Sequence, residues 1–215
     1  PYYPNESIDF MKVTSAFDNQ SIQENTLIGS YNSAVFMHQN VFIDSNKLFE
    51  EFVIKHIEDK QYDIIIVDFT VPRKPEDCRV FSVEWYEVLS KALSDNGVIS
   101  VNGVSPTATP AAFWCLSNTI RAAKLQALPF RSCIPSFRNA GYGVWSFFIA
   151  SKSAITQAQF KALRCPVLTR QIDIRKLHRA SHFSLSDRNF GKNIPVNTLQ
   201  NCILLPLLLN SMTDM

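Results

Sequence analysis

The run Tyr62–Asp68 (YDIIIVD) constrains the fold of this chain more than any other stretch. Ile64, Ile65, Ile66 and Val67 are four consecutive β-branched apolar residues with no polar alternation. A half-exposed strand alternates, whereas a strand covered on both faces does not, so the run reads as an interior strand of a largely parallel sheet. Its neighbours fit that placement. Ala34–Phe42 reads as a strand, and Ser45–Ile57 as an amphipathic helix with Leu48, Phe49, Phe52, Val53 and His56 on one side and Ser45 as its N-cap. After Asp68 comes a charged, proline-containing loop from Phe69 to Val80, then a helix from Ser82 to about Leu93. Asp95-Asn96-Gly97 is a turn signal ending that helix.

Val98–Val101 reads as a third buried strand. Ser105–Pro110 is a loop in which Thr109 serves as N-cap and Pro110 takes the first helical position. The helix it opens runs through Phe113, Trp114 and Leu116 to about Ala123. A strand over Ala127–Ile134 ends at Pro135, and a loop containing Gly141 and Gly143 leads into a strand at Val144–Ala150. The connection between these last two strands is too short for a helical crossover, so they are expected to be antiparallel. The predicted fold class is α/β: a Rossmann-like, mostly parallel sheet ending in an antiparallel strand pair. Residues 1–152 are assigned to that domain and residues 153–215 to a helical extension packed on it. Within the extension, Ile155–Leu163 and Ile172–His182 read as helices, followed by a polar turn and a terminal apolar segment. The first thirty residues are polar and weakly patterned, with Met11–Phe17 as a short helix.

Composition excludes several function classes. Only 6 glycines occur, and no G-x-G-x-x-G or G-x-x-x-x-G-K-[ST] can be drawn through them, which rules out a self-contained phosphate cradle. A net charge of +2 is far from a nucleic-acid-binding excess. The basic stretch Arg170–Arg179 interleaves with Ile172, Ile174 and Leu177 and reads as a solvated helix face. Cys202–Leu209 (CILLPLLL) is too short to enter a membrane and is broken by Pro206. The 5 cysteines are odd in number and widely spaced, without C-x-x-C, which suggests reduced thiols and a cytoplasmic setting. No metal is expected: His178 and His182 stand at ligand spacing, but no third ligand accompanies them.

In an open α/β sheet, ligands bind beyond the carboxyl ends of the strands. That rule points to Asn40-Val41-Phe42, to Asp68 and the residues after it, to Asn102–Pro106, and to Ser136–Gly143. Asp68 is the sharpest candidate. A carboxylate directly after an apolar strand must cap, pair or hold a ligand.

At these residues the sequence resembles the spermidine synthases, the polyamine aminopropyltransferases. YDIIIVDFTVPRKPEDCRVFSVEWYEVLSKAL is similar to their YDvIivD-x-x-DP stretch, with its loop and following helix. The likeness continues through Gly97–Pro106 (GVISVNGVSP), Phe113-Trp114, Ile134–Phe137 (IPSF) and Trp145–Ser151 (WSFFIAS), to Val196–Leu204 (VNTLQNCIL), which is similar to the tail of the longer bacterial members. It implies aminopropyl transfer from decarboxylated S-adenosylmethionine, a co-substrate and no resident cofactor, to a polyamine such as putrescine. It places the catalytic carboxylate at Asp68. Substrate-binding positions fall on Thr70, Val71, Asn102, Phe137, Trp145 and Tyr86. Nucleoside-binding positions fall on Asp9, Asn40, Val41 and Pro75, with Asp44 as a neighbouring alternative to Asn40.

The departures are as informative. The family's second acidic residue is Val71 here, its loop glycine is Lys74, and its glutamine after the next strand is Asn102. A dication held away from water needs partners for both charges, so Val71 removes one of them. The glycine-rich turn that approaches the nucleoside would lie before Asp9, so the chain is expected to begin after the first strand, either as a fragment of a longer polypeptide or as a reduced family member, and to be inactive by itself. A non-catalytic relative acting as a binding or regulatory subunit is the alternative, and a methyltransferase-like enzyme with another small substrate is a further one. Implied partners are the amine and the nucleoside sulfonium. Family members commonly form homodimers, and neither nucleic acid nor membrane insertion is expected of this segment.

Overall fold

The computed structural model describes residues 26–31, 34–39, 62–69, 71–155, 159, 176 and 179–213, with backbone alone at 26–39, 185 and 211–213. The expected helices at Met11–Phe17 and Ser45–Ile57 lie outside the described residues, as do most of Ile155–Leu163 and Ile172–His182. Six strands form one sheet: β1 (Thr26–Tyr31), β2 (Ala34–Gln39), β3 (Tyr62–Phe69), β4 (Leu93–Asn102), β5 (Gln126–Ser132) and β6 (Trp145–Ser151), in the order β1-β2-β3-β4-β6-β5. β2, β3 and β4 run parallel, while β1 pairs antiparallel with β2 and β6 lies antiparallel between β4 and β5. This is the expected Rossmann-like α/β sheet closed by an antiparallel pair. β1 is an addition, since the polar start of the chain carries no strand signal.

On one face of β3, Ile65, Val67 and Phe69 are buried, and Phe69 packs on Phe81 and Trp85 with ring centroids 6.2 and 5.6 Å apart. On the other face Ile64 is 44% exposed and Ile66 is half-buried. The loop expected from Phe69 to Val80 contains a 3-10 helix, Pro75–Phe81, whose first turn is capped by Asp77 accepting from the Arg73 and Lys74 amides. Helix α1 (Val83–Ala92) follows, its Ser82 N-cap side chain accepting from the Trp85 amide at 3.2 Å.

The turn signal Asp95-Asn96-Gly97 ends no chain direction; it lies inside β4. Tyr62 pairs with Leu93 and Ile64 with Val98, so a wide bulge opens opposite Asp63, closed by Ser94 Oγ donating to Asp63 Oδ1 at 2.7 Å. Gly97 is needed there, because a Cβ would stand 2.8 Å from the Tyr62 carbonyl. Turn chemistry served a bulge instead of a reversal.

Helix α2 (Pro110–Ala122) starts at Thr109 and Pro110 as expected, although the Thr109 hydroxyl donates back to the Ser105 carbonyl instead of capping the helix. Phe113 anchors this side of the core, stacked between Phe148 and Phe183 at 5.2 Å from each. Beyond β5 the expected loop begins with one helical turn, α3 (Pro135–Asn139). The expected polar turn near the C-terminus is α4 (Leu185–Lys192), nucleated by a Ser184–Asp187 capping box. Helix α5 (Leu204–Thr213) is the terminal apolar segment. Pro206 is accommodated in its first turn, where no amide donor is needed. Among the described residues no helix is long and apolar enough to cross a membrane.

The tail is tied down through Asn197, which is fully buried. Its Nδ2 donates to the Cys78 and Phe81 carbonyls at 2.9 and 3.2 Å, and its Oδ1 accepts from the Leu204 amide at 3.2 Å. This brings Cys202 against Cys78, and the two form a disulfide with Cα atoms 5.8 Å apart. The expectation of reduced thiols is therefore corrected at this pair, and the cytoplasmic setting loses that support. Spacing in sequence carried no trace of the bond, because its partners are 124 residues apart. Cys115 is a buried thiol pushed up to about 12 by desolvation, against a weaker opposing hydrogen bond to Thr119, and Cys133 is an exposed free thiol. Closing so long a loop constrains the unfolded chain, so Cys202→Ser should cost about 2–4 kcal/mol in urea unfolding. Equal stability with and without a dithiol reductant would contradict the bond.

Candidate functional site

Three strand ends meet at one sheet edge. Asp68 stands at the carboxyl end of β3, Asn102 at the carboxyl end of β4, and Trp145 opens β6, which returns antiparallel beside β4. Their side chains form a chain of hydrogen bonds. The indole Nε1 of Trp145 donates to Asn102 Oδ1 at 2.7 Å. Asn102 Nδ2 donates in turn to Asp68 Oδ1 at 2.9 Å and to the Phe69 carbonyl at 3.3 Å. The amide of Asn102 is thereby oriented without ambiguity: its oxygen faces a group that only donates, and its nitrogen faces groups that accept. A carboxylate held this way is fixed in direction, which is what recognition of a small cation requires.

Trp145 is held by aromatic packing. Phe137 meets it edge-to-face at 4.8 Å between centroids and Tyr142 at 5.9 Å. Tyr142 also lies 6.1 Å from Phe137, closing a three-ring cluster. The loop presenting Tyr142 depends on its flanking glycines, Gly141 at φ 85° and Gly143 at φ 68°. Side chains are disfavoured at those angles. A Cβ on Gly143 would also stand 2.8 Å from Thr107 Oγ1.

Beside Trp145 opens a cavity of about 270 Å³. Val71 and Arg73 line it from the loop after β3, Ser105 and Tyr142 from the loops flanking α2 and β6, and Leu208 and Leu209 from α5. The Ser105 hydroxyl is engaged with its own turn, accepting from the Ala108 amide at 3.0 Å.

Of the residues expected at the site, Asp68, Asn102, Phe137 and Trp145 come together and Val71 lines the adjoining cavity. Tyr86 does not. It is fully buried, with its hydroxyl unpaired among the described residues and its pKa raised by desolvation. It sits in the core because α1 packs that side of the helix against the sheet. Pro75 is exposed at the first turn of the 3-10 helix, as is its neighbour Lys74. Asp9, Asn40, Val41 and Thr70 lie outside the described residues, as does the alternative Asp44. Sequence reasoning pointed to Ser136–Gly143 without singling out Tyr142, and it missed Leu208 and Leu209. The Gly-Tyr-Gly spacing was a legible signal for the first; nothing local marked the two leucines. Among the described residues no cluster of His, Cys, Asp and Glu is placed to hold a metal ion.

The spermine/spermidine synthase domain family matches residues 27–161. The polyamine aminopropyltransferase of Mycobacterium tuberculosis (strain ATCC 25618 / H37Rv) is 33% identical over 140 residues, covering 65% of this chain and 25% of that protein. Polyamine aminopropyltransferase 2 of Aquifex aeolicus is 27% identical over 173 residues, covering 79% of this chain and 33% of that one. A crystal structure of spermidine synthase from Thermotoga maritima is 20% identical over 66% of this chain and 46% of its own, with a TM-score of 0.44. The chain thus spans a quarter to a third of the length of these two curated relatives.

Proposed function

Because the chain belongs to the spermine/spermidine synthase domain family, we propose that it forms the amine-accepting part of an aminopropyl transfer site. The donor is decarboxylated S-adenosylmethionine and the acceptor a primary amine, the class that includes putrescine. The observation that carries the reading is the Trp145–Asn102–Asp68 hydrogen-bond chain at the carboxyl edge of the sheet.

The reaction is a displacement at the carbon beside a sulfonium. The amine nitrogen supplies the electron pair for the new C–N bond, the C–S bond breaks, and its electrons leave on sulfur as a neutral thioether. The nitrogen must be unprotonated to attack, and it must lose a proton afterwards. Asp68 accepts the N–H of the incoming amine and favours release of that proton. Asn102 keeps the carboxylate from rotating away, and Trp145 keeps Asn102 from flipping. The faces of the three rings favour a cationic acceptor over a neutral one. Residues expected to hold the nucleoside lie largely outside the described part of the chain, so no donor geometry is assigned.

Titration calorimetry with hexylamine and with hexan-1-ol tests the amine site, and the amine alone should bind. Trp145→Phe keeps most of the ring and removes the indole N–H. It should weaken hexylamine by about 10-fold, the worth of one buried hydrogen bond to a polar network. Equal binding of amine and alcohol contradicts the site. Absence of heat with decarboxylated S-adenosylmethionine, in the longest natural polypeptide that carries this chain, contradicts the transfer.

A further inference from the structure

Helices α2 and α4 meet along a seam that the spacing of their residues sets. Trp114, Asn118 and Arg121 recur at helical intervals and share one face of α2. Arg188, Gly191 and Lys192 do the same on α4. Asn118 Nδ2 donates to the Gly191 and Ile194 carbonyls, each at 2.8 Å, and Gly191 lies so close to Trp114 that a Cβ there would run into the indole ring. These contacts pin the two helices in one register. Beside the seam opens a cavity of about 340 Å³, and Arg121, Arg188 and Lys192 line it together with Trp114, Pro129 and Phe183.

We propose that this cavity binds a phosphate dianion, free or as the end group of a phosphomonoester. The fold holds three cations around one space against their mutual repulsion. Arg188 and Lys192 stand one turn apart on α4, a like-charge spacing that disfavours a helix. Arg121 reaches the same space from α2, and its Nη2 donates to the Ala127 carbonyl at 3.0 Å, which fixes the guanidinium. Loss of surrounding water, and then the positive charge of Arg188, lower the Arg121 pKa. Asp187, the acid next to Arg188, is committed to the cap of α4, accepting from the Ser184 amide at 3.1 Å and the Ser184 hydroxyl at 2.6 Å. Lys192 Nζ donates to Asn189 Oδ1 at 3.2 Å, a neutral acceptor that does not balance its charge. An oxyanion answers all three groups: guanidinium forks match pairs of phosphate oxygens, and the lysine adds a point charge. The three side chains are exposed, so the anion loads from solvent. The site is separate from the amine site. Ala127 pairs with Ala150 near one end of β6, whereas Trp145 at the other end pairs with Ser132, about 17 Å further along β5.

Calorimetric titrations with inorganic phosphate and with phenyl phosphate test the site, at about pH 8, where both are mostly dianions, and with chloride matching the ionic strength. Both should bind. Phenyl phosphate tighter by about 3-fold assigns the ligand to the phosphomonoesters, through ring contact with Trp114, Pro129 and Phe183. Equal affinity assigns it to the free ion. Arg188→Gln should weaken both by about 10-fold, the worth of one charge-assisted hydrogen bond. Its urea midpoint in chloride should stay the same or rise, because a like charge has been removed. Lys192→Gln, also at an exposed position, should weaken both by about 3-fold. Asp68→Asn should leave phosphate binding unchanged. No heat from either phosphate, or unaltered binding by Arg188→Gln, overturns the site. A lower urea midpoint for Arg188→Gln in chloride overturns it too, because Arg188 would then serve the packing of α4.

Discussion

Asp68→Asn should lower amine affinity by on the order of 100-fold and any transfer rate by about 10²–10⁴-fold, with the folded state unchanged. The side chains are the same size, and Asn102 can still donate to the new amide oxygen. What disappears is the charge. A hydrogen bond to an ionised partner contributes about 1.5–3 kcal/mol, about twice the value of a neutral one after exchange with water. The neutral amide also offers its N–H₂ group where an ammonium or amine needs an acceptor, replacing attraction with repulsion. Asp68 is exposed, and unfolding free energy should move by less than about 0.5 kcal/mol. Calorimetric titration with hexylamine and urea unfolding together separate the two effects. Affinity within 3-fold of the unaltered protein would remove Asp68 from the site.

Asn197→Ala should be the most destabilising single change in the described structure away from the aromatic core. Alanine keeps the backbone bonds, in which the Asn197 amide donates to Thr119 Oγ1 at 2.9 Å and its carbonyl accepts from the Val83 amide at 2.9 Å. It loses the three side-chain bonds, leaving the Cys78 and Phe81 carbonyls and the Leu204 amide without their Asn197 partner in a dry environment. Each orphaned group costs about 1–3 kcal/mol, and partial relaxation brings the sum to about 3–5 kcal/mol. For a domain of this size that corresponds to a fall in Tm of roughly 10 °C. A loss below about 1 kcal/mol in urea unfolding would mean that the tail is anchored by other contacts.

Local chemistry made several features legible. The β-branched run of β3 marked an interior strand, Ser82 marked the start of α1, and Thr109-Pro110 marked the start of α2. Each signal depends on a residue and its immediate neighbours, where steric and capping preferences operate. The short connection between β5 and β6 forced their antiparallel pairing. The same reasoning misread Asp95-Asn96-Gly97, because residues that permit a turn equally permit a bulge, and pairing with β3 settled which. It also misread Ser184 to Lys192 as a turn, since a polar composition hides a helix whose capping box is its only local mark.

The chain's own order of residues settled that Asp68, Asn102 and Trp145 would stand at strand ends, because strand ends follow from short-range periodicity. It could not settle that the three would bond in series, for that depends on β6 folding back between β4 and β5. Contacts between segments far apart in the chain come from packing, which leaves no local imprint. So it is with the cavity, whose walls combine Val71 and Arg73 with Leu208 and Leu209, and with the Cys78–Cys202 bond across 124 residues. The apolar strand announced an α/β sheet with an acid at its tip; folding decided what that acid is held by and what lies beside it.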